Sequence, residues 1–231
     1  MKSNIYLKLE NFFNEPIIDI AKKLGYSENN IIILENDENK LKEKYPDTYS
    51  NLKSCYHNRD GRTEMQYAQD LICSWIFEDY LVYNLKLLGI NLSLDGTDFE
   101  RKILKSQKIS STSDYKIEYD NKKIYIELIS DYKGYWNKNK KCDLRDDKYL
   151  KLKSLASDNT SSMLLGIDFY NKKFFFFNVN DDKNKAEYVS FHFAYKKPVY
   201  SIDLRQVAYY DFSFEKIVEV LKQYMEGFRN E

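Results

Sequence analysis

Hydrophobic and polar positions change period several times along the chain. From residue 63 to 90 (TEMQYAQDLICSWIFEDYLVYNLKLLGI) the apolar residues Leu71, Trp75, Ile76, Leu81, Val82, Leu85 and Leu88 recur at three- and four-residue spacing, which predicts one long helix. Thr63 with Gln66 is a capping-box pair at its start, and Gly89 ends it. Upstream, FFNEPIIDIAKKLGY reads as a helix closed by Gly25, ENNIIILEND as a short strand or a helix edge, and YPDTYSNLKS as a turn running into a helix.

Downstream the period falls to two. NLSLDGTDFERKIL (91–104) reads as a turn and a short helix. SDYKIEY (113–119) and KIYIELIS (123–130) then alternate as strands, joined at Asp120-Asn121 by a hairpin signal. Alternation puts Ile124, Ile126, Leu128 and Ser130 on one face and Tyr125, Glu127 and Ile129 on the other. Lys133–Lys141 is a polar, basic connection, and residues 143–156 predict a helix. SMLLGIDFY (162–170) and KKFFFFNV (172–179) are buried strands, and AEYVSFHFAY and KPVYSIDLRQVAYY add more. Residues 213–228 form an amphipathic closing helix with Ser213 as N-cap and Ile217, Val220, Leu221 and Tyr224 on one face. The expected class is α/β (α+β) with a mixed sheet. A single domain is expected over 1–231: a helical or mixed segment (1–60), a core (63–170), and further strands with the closing helix (171–231).

Composition narrows the classes. At 231 residues, 43% hydrophobic and 16% aromatic, with three Pro and seven Gly, the chain is neither disordered nor low-complexity. Lys outnumbers Arg 30 to 6 and Tyr, Asn and Ile are abundant, a bias of AT-rich coding. Cys55, Cys73 and Cys142 are odd in number and far apart, and His57 and His192 are isolated, so neither a disulfide framework nor a zinc site is expected. The N-terminus lacks an apolar signal region and no membrane-spanning run occurs, which suits a cytoplasmic protein.

The formal charge is zero. Segment by segment it is not uniform: 1–60 carries net −1, 61–131 net −3, and 157–231 net −1. Residues 132–156, with 8 basic and 3 acidic groups, carry net +5. This block provides candidate phosphate contacts in Lys138, Lys140, Lys141 and Arg145. Arg59 and Arg62 in YHNRDGR, with Lys196 and Lys197, are further candidate DNA contacts. A solvated helix face is the bland alternative for the basic block.

The acidic segment holds the chemistry. Asp114 starts one strand of the hairpin and Glu127 sits late in the other, so both carboxylates can project from one sheet edge. Two hard oxygen donors suit Mg²⁺, which needs only one or two carboxylates besides water and phosphate oxygens. A Glu flanked by apolar residues on a central strand is seldom tolerated without a partner. A lysine to orient or deprotonate water is the missing third group. Lys148 leads, ahead of Lys151 one turn on and Lys133 in the loop; Ser130 is a weaker candidate. Trp75 and Trp136 read more readily as core than as ligand-stacking residues.

Asp114, Glu127 and the run ELISDYKGYW…LRDDKYLKL…LLGIDF, preceded by WIFEDYL and DGTDFERKIL, resemble type II restriction endonucleases of the PD-(D/E)xK nuclease superfamily, over residues 63 to about 170. The resemblance implies a restriction-endonuclease-like αβββαβ core. It also implies hydrolysis of double-stranded DNA with Mg²⁺ as cofactor, leaving a 5′-phosphate and a 3′-hydroxyl. Asp114 and Glu127 would be the metal ligands, with Glu78 on the long helix as an additional carboxylate. A palindromic site would imply a homodimer, and protection of the host genome a DNA methyltransferase encoded nearby. Two departures stand out. Ser113 precedes Asp114 where the family has Pro, and Ile129 fills the slot of the family's lysine. A repair or nicking nuclease of the same core, and a DNA-binding module without catalysis, are the alternatives.

Overall fold

The computed structural model describes residues 2–55, 61–95, 100–104, 113–157, 159–181 and 185–227. The chain divides into two compact units: Met1–Tyr83 with Thr97–Ile109, and Asn84–Gly96 with Ser110–Glu231.

The first unit is helical. Helices α1 (Asn4–Phe13), α2 (Ile17–Lys23), α3 (Glu28–Glu35), α4 (Glu38–Lys44) and α5 (Pro46–Cys55) precede α6 (Glu64–Leu87), which runs on into the second unit. The ambiguous ENNIIILEND is helix α3. Its consecutive Ile32, Ile33 and Leu34 are all fully buried, so the helix has no polar face at that level to reveal its period. The capping box of α6 forms in both directions: Gln66 Oε1 accepts from the Thr63 N–H at 3.0 Å, and Thr63 Oγ1 accepts from the Gln66 N–H at 3.2 Å. Buried Gln69 donates to the Ile33 and Leu34 carbonyls at 3.1 and 3.2 Å, serving the unpaired end of α3.

The second unit opens with the end of α6. Gly89, at φ +86°, lets the Ile90 N–H turn back to the Leu85 carbonyl at 2.9 Å. Strands β1 (Leu92–Leu94), β2 (Tyr115–Tyr119) and β3 (Lys122–Asp131) follow, then α7 (Tyr135–Asn139), β4 (Lys141–Arg145), α8 (Asp146–Ser154), β5 (Thr160–Asp168) and β6 (Lys173–Asn178). Strands β7 (Ala186–His192), β8 (Lys197–Asp203) and β9 (Tyr210–Asp211) and helix α9 (Phe214–Gly227) complete it. The mixed sheet runs β1-β2-β3-β5-β6-β9, with only β3 and β5 parallel, and β4-β8-β7 form a small antiparallel sheet. Asp120 and Asn121 have φ of 44° and 62° in a two-residue loop, the hand that matches strand twist.

FFNEPIIDIAKKLGY is not one helix but the end of α1 and all of α2, broken at Pro16, and further boundaries differ from the sequence pattern in the second unit. Leu92–Leu94 is a strand rather than a turn, because Leu92 and Leu94 pair with Ile117 and Tyr115 more than 20 residues away. Residues 100–104 hold no helix, and the rest of that expected helix lies outside the described residues. The helix expected over 143–156 begins at Asp146: residues 141–145 belong to β4, with Cys142 and Leu144 turned into the core. With α7 and β4 inserted, the chain order from α6 through β1, β2, β3 and α8 to β5 is helix, three strands, helix, strand.

The two faces of the sheet have different covers. Leu164, Phe175 and Phe177 share a cluster with Trp136, Leu144, Tyr149 and Leu152, and Ile129 packs against it. On the opposite face, Phe176 meets Tyr224 of α9 with ring centroids 6.0 Å apart. Gly166 has no side chain because Phe175 lies over it: an added Cβ would sit 2.1 Å from that ring. Phe175 thereby reaches Trp136, edge to face, at 5.4 Å. This layer carries α8 and positions the site.

Candidate active site

The β2–β3 ladder brings Asp114 and Glu127 together. Tyr115 pairs with Ile126, so Asp114, just before β2, and Glu127, just after Ile126, come to the same end of the ladder. The Asp114 N–H donates to the Ile126 carbonyl at 3.1 Å, and Asp114 Oδ2 accepts from the Leu128 N–H at 2.7 Å. The Asp114 charge reaches the Glu127 carboxyl, and two neighbouring carboxylates suit one cation. Glu127 is 2% exposed. Burial, with the adjacent Asp114 charge adding, pushes its carboxyl up to about 7, against the opposing pull of Lys148 and Arg145.

Lys148 supplies the third group. Its Nζ donates to Glu127 Oε1. The reason is helical: Lys148 lies one turn before the buried Leu152, so it shares the inward face of α8. Tyr149 holds that helix by stacking on Tyr200, with ring centroids 4.1 Å apart. Burial works against the Lys148 charge, but the Glu127 carboxylate outweighs it and raises its pKa above the ordinary lysine value. Arg145, at the end of β4, adds a second positive charge that reaches both Glu127 and Lys148, and pairs with Asp147 at 3.3 Å.

Ile129, two residues after Glu127, alternates to the same face and packs, partly buried, against the apolar cluster. A lysine there would set its charge against that apolar cluster; α8 supplies one from another element instead. Ser113 is also accounted for: its Oγ donates to Asp95 Oδ2 at 2.9 Å, and the Asp95 N–H donates to the Asp114 carbonyl at 2.9 Å. Asp95 is thus tied to the strand end that carries Asp114. Nothing in the sequence singled it out, since it follows a three-residue strand that only pairing reveals.

Ser130 alternates to the face opposite Glu127. Lys133 and Lys151 are exposed, and among the described residues neither makes an ion pair. Lys138, Lys140 and Lys141 are exposed along α7 and the start of β4, Lys141 lying 3.7 Å from Glu187. Lys196 and Lys197 are exposed where β7 turns into β8. In the helical unit, Glu78 pairs with Arg101 at 2.9 Å in a network that includes Asp79 and Tyr26. Arg62 binds Asp70 at 2.6 Å. Arg59 and His57 lie outside the described residues. Trp75 and Trp136 are core residues, 1% and 7% exposed. A cavity of about 410 Å³ lined by Trp136, Asp168, Asn171 and Arg205 is not this site. Asp168 lies four positions along β5 from the residue paired with Glu127, roughly 13 Å at strand rise.

The donor set suits a small hard cation: two carboxylates side by side, one buried and repelled by the other, with room for the remaining ligands to be water or phosphate oxygen. Among the described residues, no group of three or more His, Cys, Asp or Glu could hold a metal ion, and no helix is long and apolar enough to cross a membrane. No protein-family model matches the chain, and no curated protein is significantly similar to it.

Proposed function

We propose that the chain is a Mg²⁺-dependent endonuclease that hydrolyses double-stranded DNA at a specific sequence, leaving 5′-phosphate and 3′-hydroxyl ends. The observation that carries this reading is Lys148 Nζ donating to Glu127 Oε1, with Asp114 near enough for its charge to act on Glu127. Two carboxylates and a lysine brought together are the minimal set for metal-assisted phosphodiester hydrolysis.

Asp114 and Glu127 would hold the cation. Bound there, Mg²⁺ would supply Lewis-acid stabilisation of phosphate charge and a lowered pKa for water. Asp114 is oriented by the Leu128 N–H, so its position does not depend on a ligand. Glu127 must lose its proton to bind, which ties activity to pH. Lys148, held by Glu127, stays protonated at neutral pH. In this arrangement it acts as a donor that positions the attacking water and offsets charge at the phosphate. Arg145 adds to that offset, and Lys138, Lys140 and Lys141 extend it along the backbone.

Sequence specificity, a homodimer on a palindromic site and a methyltransferase partner come from the resemblance. The test is incubation of plasmid and phage DNA with Mg²⁺ or with EDTA. Discrete fragments that vanish with EDTA and with Glu127→Ala are expected. Random cutting would move the assignment to a repair or nicking nuclease, and failure to cut any DNA with Mg²⁺ or Mn²⁺ would overturn it.

A further inference from the structure

The hairpin formed by β7 and β8 exposes what a soluble surface ordinarily hides. Phe193 at its tip is 88% exposed and Phe191 61%, with Tyr188 and Tyr195 beside them. Apolar patches of this kind mark interaction surfaces. The same seven residues, 191–197, contain Lys196 and Lys197 and no carboxylate.

The tip is preformed. His192 Nδ1 accepts from the Tyr195 N–H at 3.3 Å, and the His192 carbonyl accepts from the Lys196 N–H at 2.7 Å. The remaining ring nitrogen of His192, Nε2, lies 3.3 Å from Asp143 Oδ2, and the Tyr195 hydroxyl donates to the Asp143 carbonyl at 3.5 Å. Asp143 stands on β4 two residues before Arg145, so the hairpin is anchored beside the candidate active site. Tyr195 lies near enough to Arg145 and Lys148 to feel both charges.

We propose that this hairpin is a wedge that enters the DNA duplex next to the scissile phosphate, Phe193 inserting between stacked base pairs while Lys196 and Lys197 contact the flanking phosphates. The inference rests on the nuclease reading of the Asp114–Glu127 site. An exposed aromatic ring flanked by cations matches the two chemistries of nucleic acid, a stacking surface and a polyanion. A second copy of the chain is the weaker occupant, because a two-fold contact of this tip with itself would oppose Lys196 and Lys197 to their own counterparts.

The experiment needs no knowledge of the recognition sequence. Glu127→Gln protein, expected not to cut, is bound with Ca²⁺ to a closed circular plasmid that the wild-type chain cuts with Mg²⁺, the plasmid is relaxed with topoisomerase I, and the protein is removed. Inserted side chains unwind DNA, so a reduced linking number is expected. In Glu127→Gln/Phe193→Ala the shift should fall at least threefold and plasmid affinity about tenfold. Because Phe193 is exposed, the melting temperature should not change. Equal shifts with and without Phe193, or plasmid binding with no unwinding by either protein, would overturn the wedge. So would conversion of a dimer to a monomer by Phe193→Ala, seen in sedimentation with unwinding unchanged; that result would assign the tip to a protein interface. Cleavage by the wild-type chain without unwinding removes the wedge alone, whereas absence of any DNA binding removes both readings.

Discussion

A carboxyl group that is 2% exposed and faces another carboxylate holds its proton more tightly than water allows. With the Glu127 carboxyl near 7 in the folded chain and at its ordinary value when unfolded, the native state binds the extra proton between about pH 4.5 and 7. Stability must therefore fall as pH rises through that window, by about 3 kcal/mol for a shift of this size. Denaturant titrations in EDTA at pH 5 and pH 8 should show this fall in the wild type and a flatter profile in Glu127→Gln. A cation must displace the same proton, so apparent Mg²⁺ affinity should drop about tenfold per pH unit below 7, with proton release measurable by calorimetry in buffers of different ionisation enthalpy. If Lys148 acts at the reacting atoms, as proposed, Lys148→Met should lower kcat by about 10²–10⁴ with DNA affinity changed less than threefold, read from single-turnover kinetics.

Two elements place these residues, and each can be tested by itself. The β2–β3 hairpin sets the Asp114–Glu127 register, and its turn needs φ of 44° and 62° at Asp120 and Asn121. Asn121→Gly relieves the second position and should stabilise the chain by about 0.5–1 kcal/mol, read as a raised melting temperature. The layer under α8 depends on Phe175 crossing Gly166. Gly166→Ala would set a methyl 2.1 Å from that ring and displace it from Trp136. A loss of about 1–3 kcal/mol is expected, partly recovered by Phe175→Leu, in thermal denaturation of the single and double variants. At this scale the sequence was readable wherever the signal was local. The α6 caps, the Asp120-Asn121 turn, the Ser213 cap and the alternation of KIYIELIS are each written in residues only a few positions apart. It was unreadable where partners were remote: β1 is three residues long and exists because β2 pairs with it, and β4 was absorbed into the helix that follows it.

Over the whole molecule, a net charge of zero conceals the +5 block of residues 132–156. Lys138, Lys140 and Lys141 are exposed on α7 and β4, which leads directly to Arg145. If they contact phosphates, each alanine substitution should reduce the slope of log K against log salt by up to about 0.9, uniformly across DNA sequences, measured by fluorescence anisotropy at several salt concentrations. The candidate site was legible in part for the same reason as the fold. Asp114 and Glu127 flank one tight turn, so turn chemistry and register bring them to the same end of the hairpin. The lysine was not legible in that way. Ile129 has the right face and the wrong chemistry, while Lys148, Lys151 and Lys133 were all within chain reach. Only the packing of Tyr149 on Tyr200 and of Leu152 into the core decided that Lys148 points at Glu127 while Lys151 stays in solvent. Local periodicity determined which residues share a strand face. Contacts between β3, β4 and α8, many residues apart in the chain, decided which charges meet across it, because the free energy that orients α8 comes from apolar area buried against the sheet.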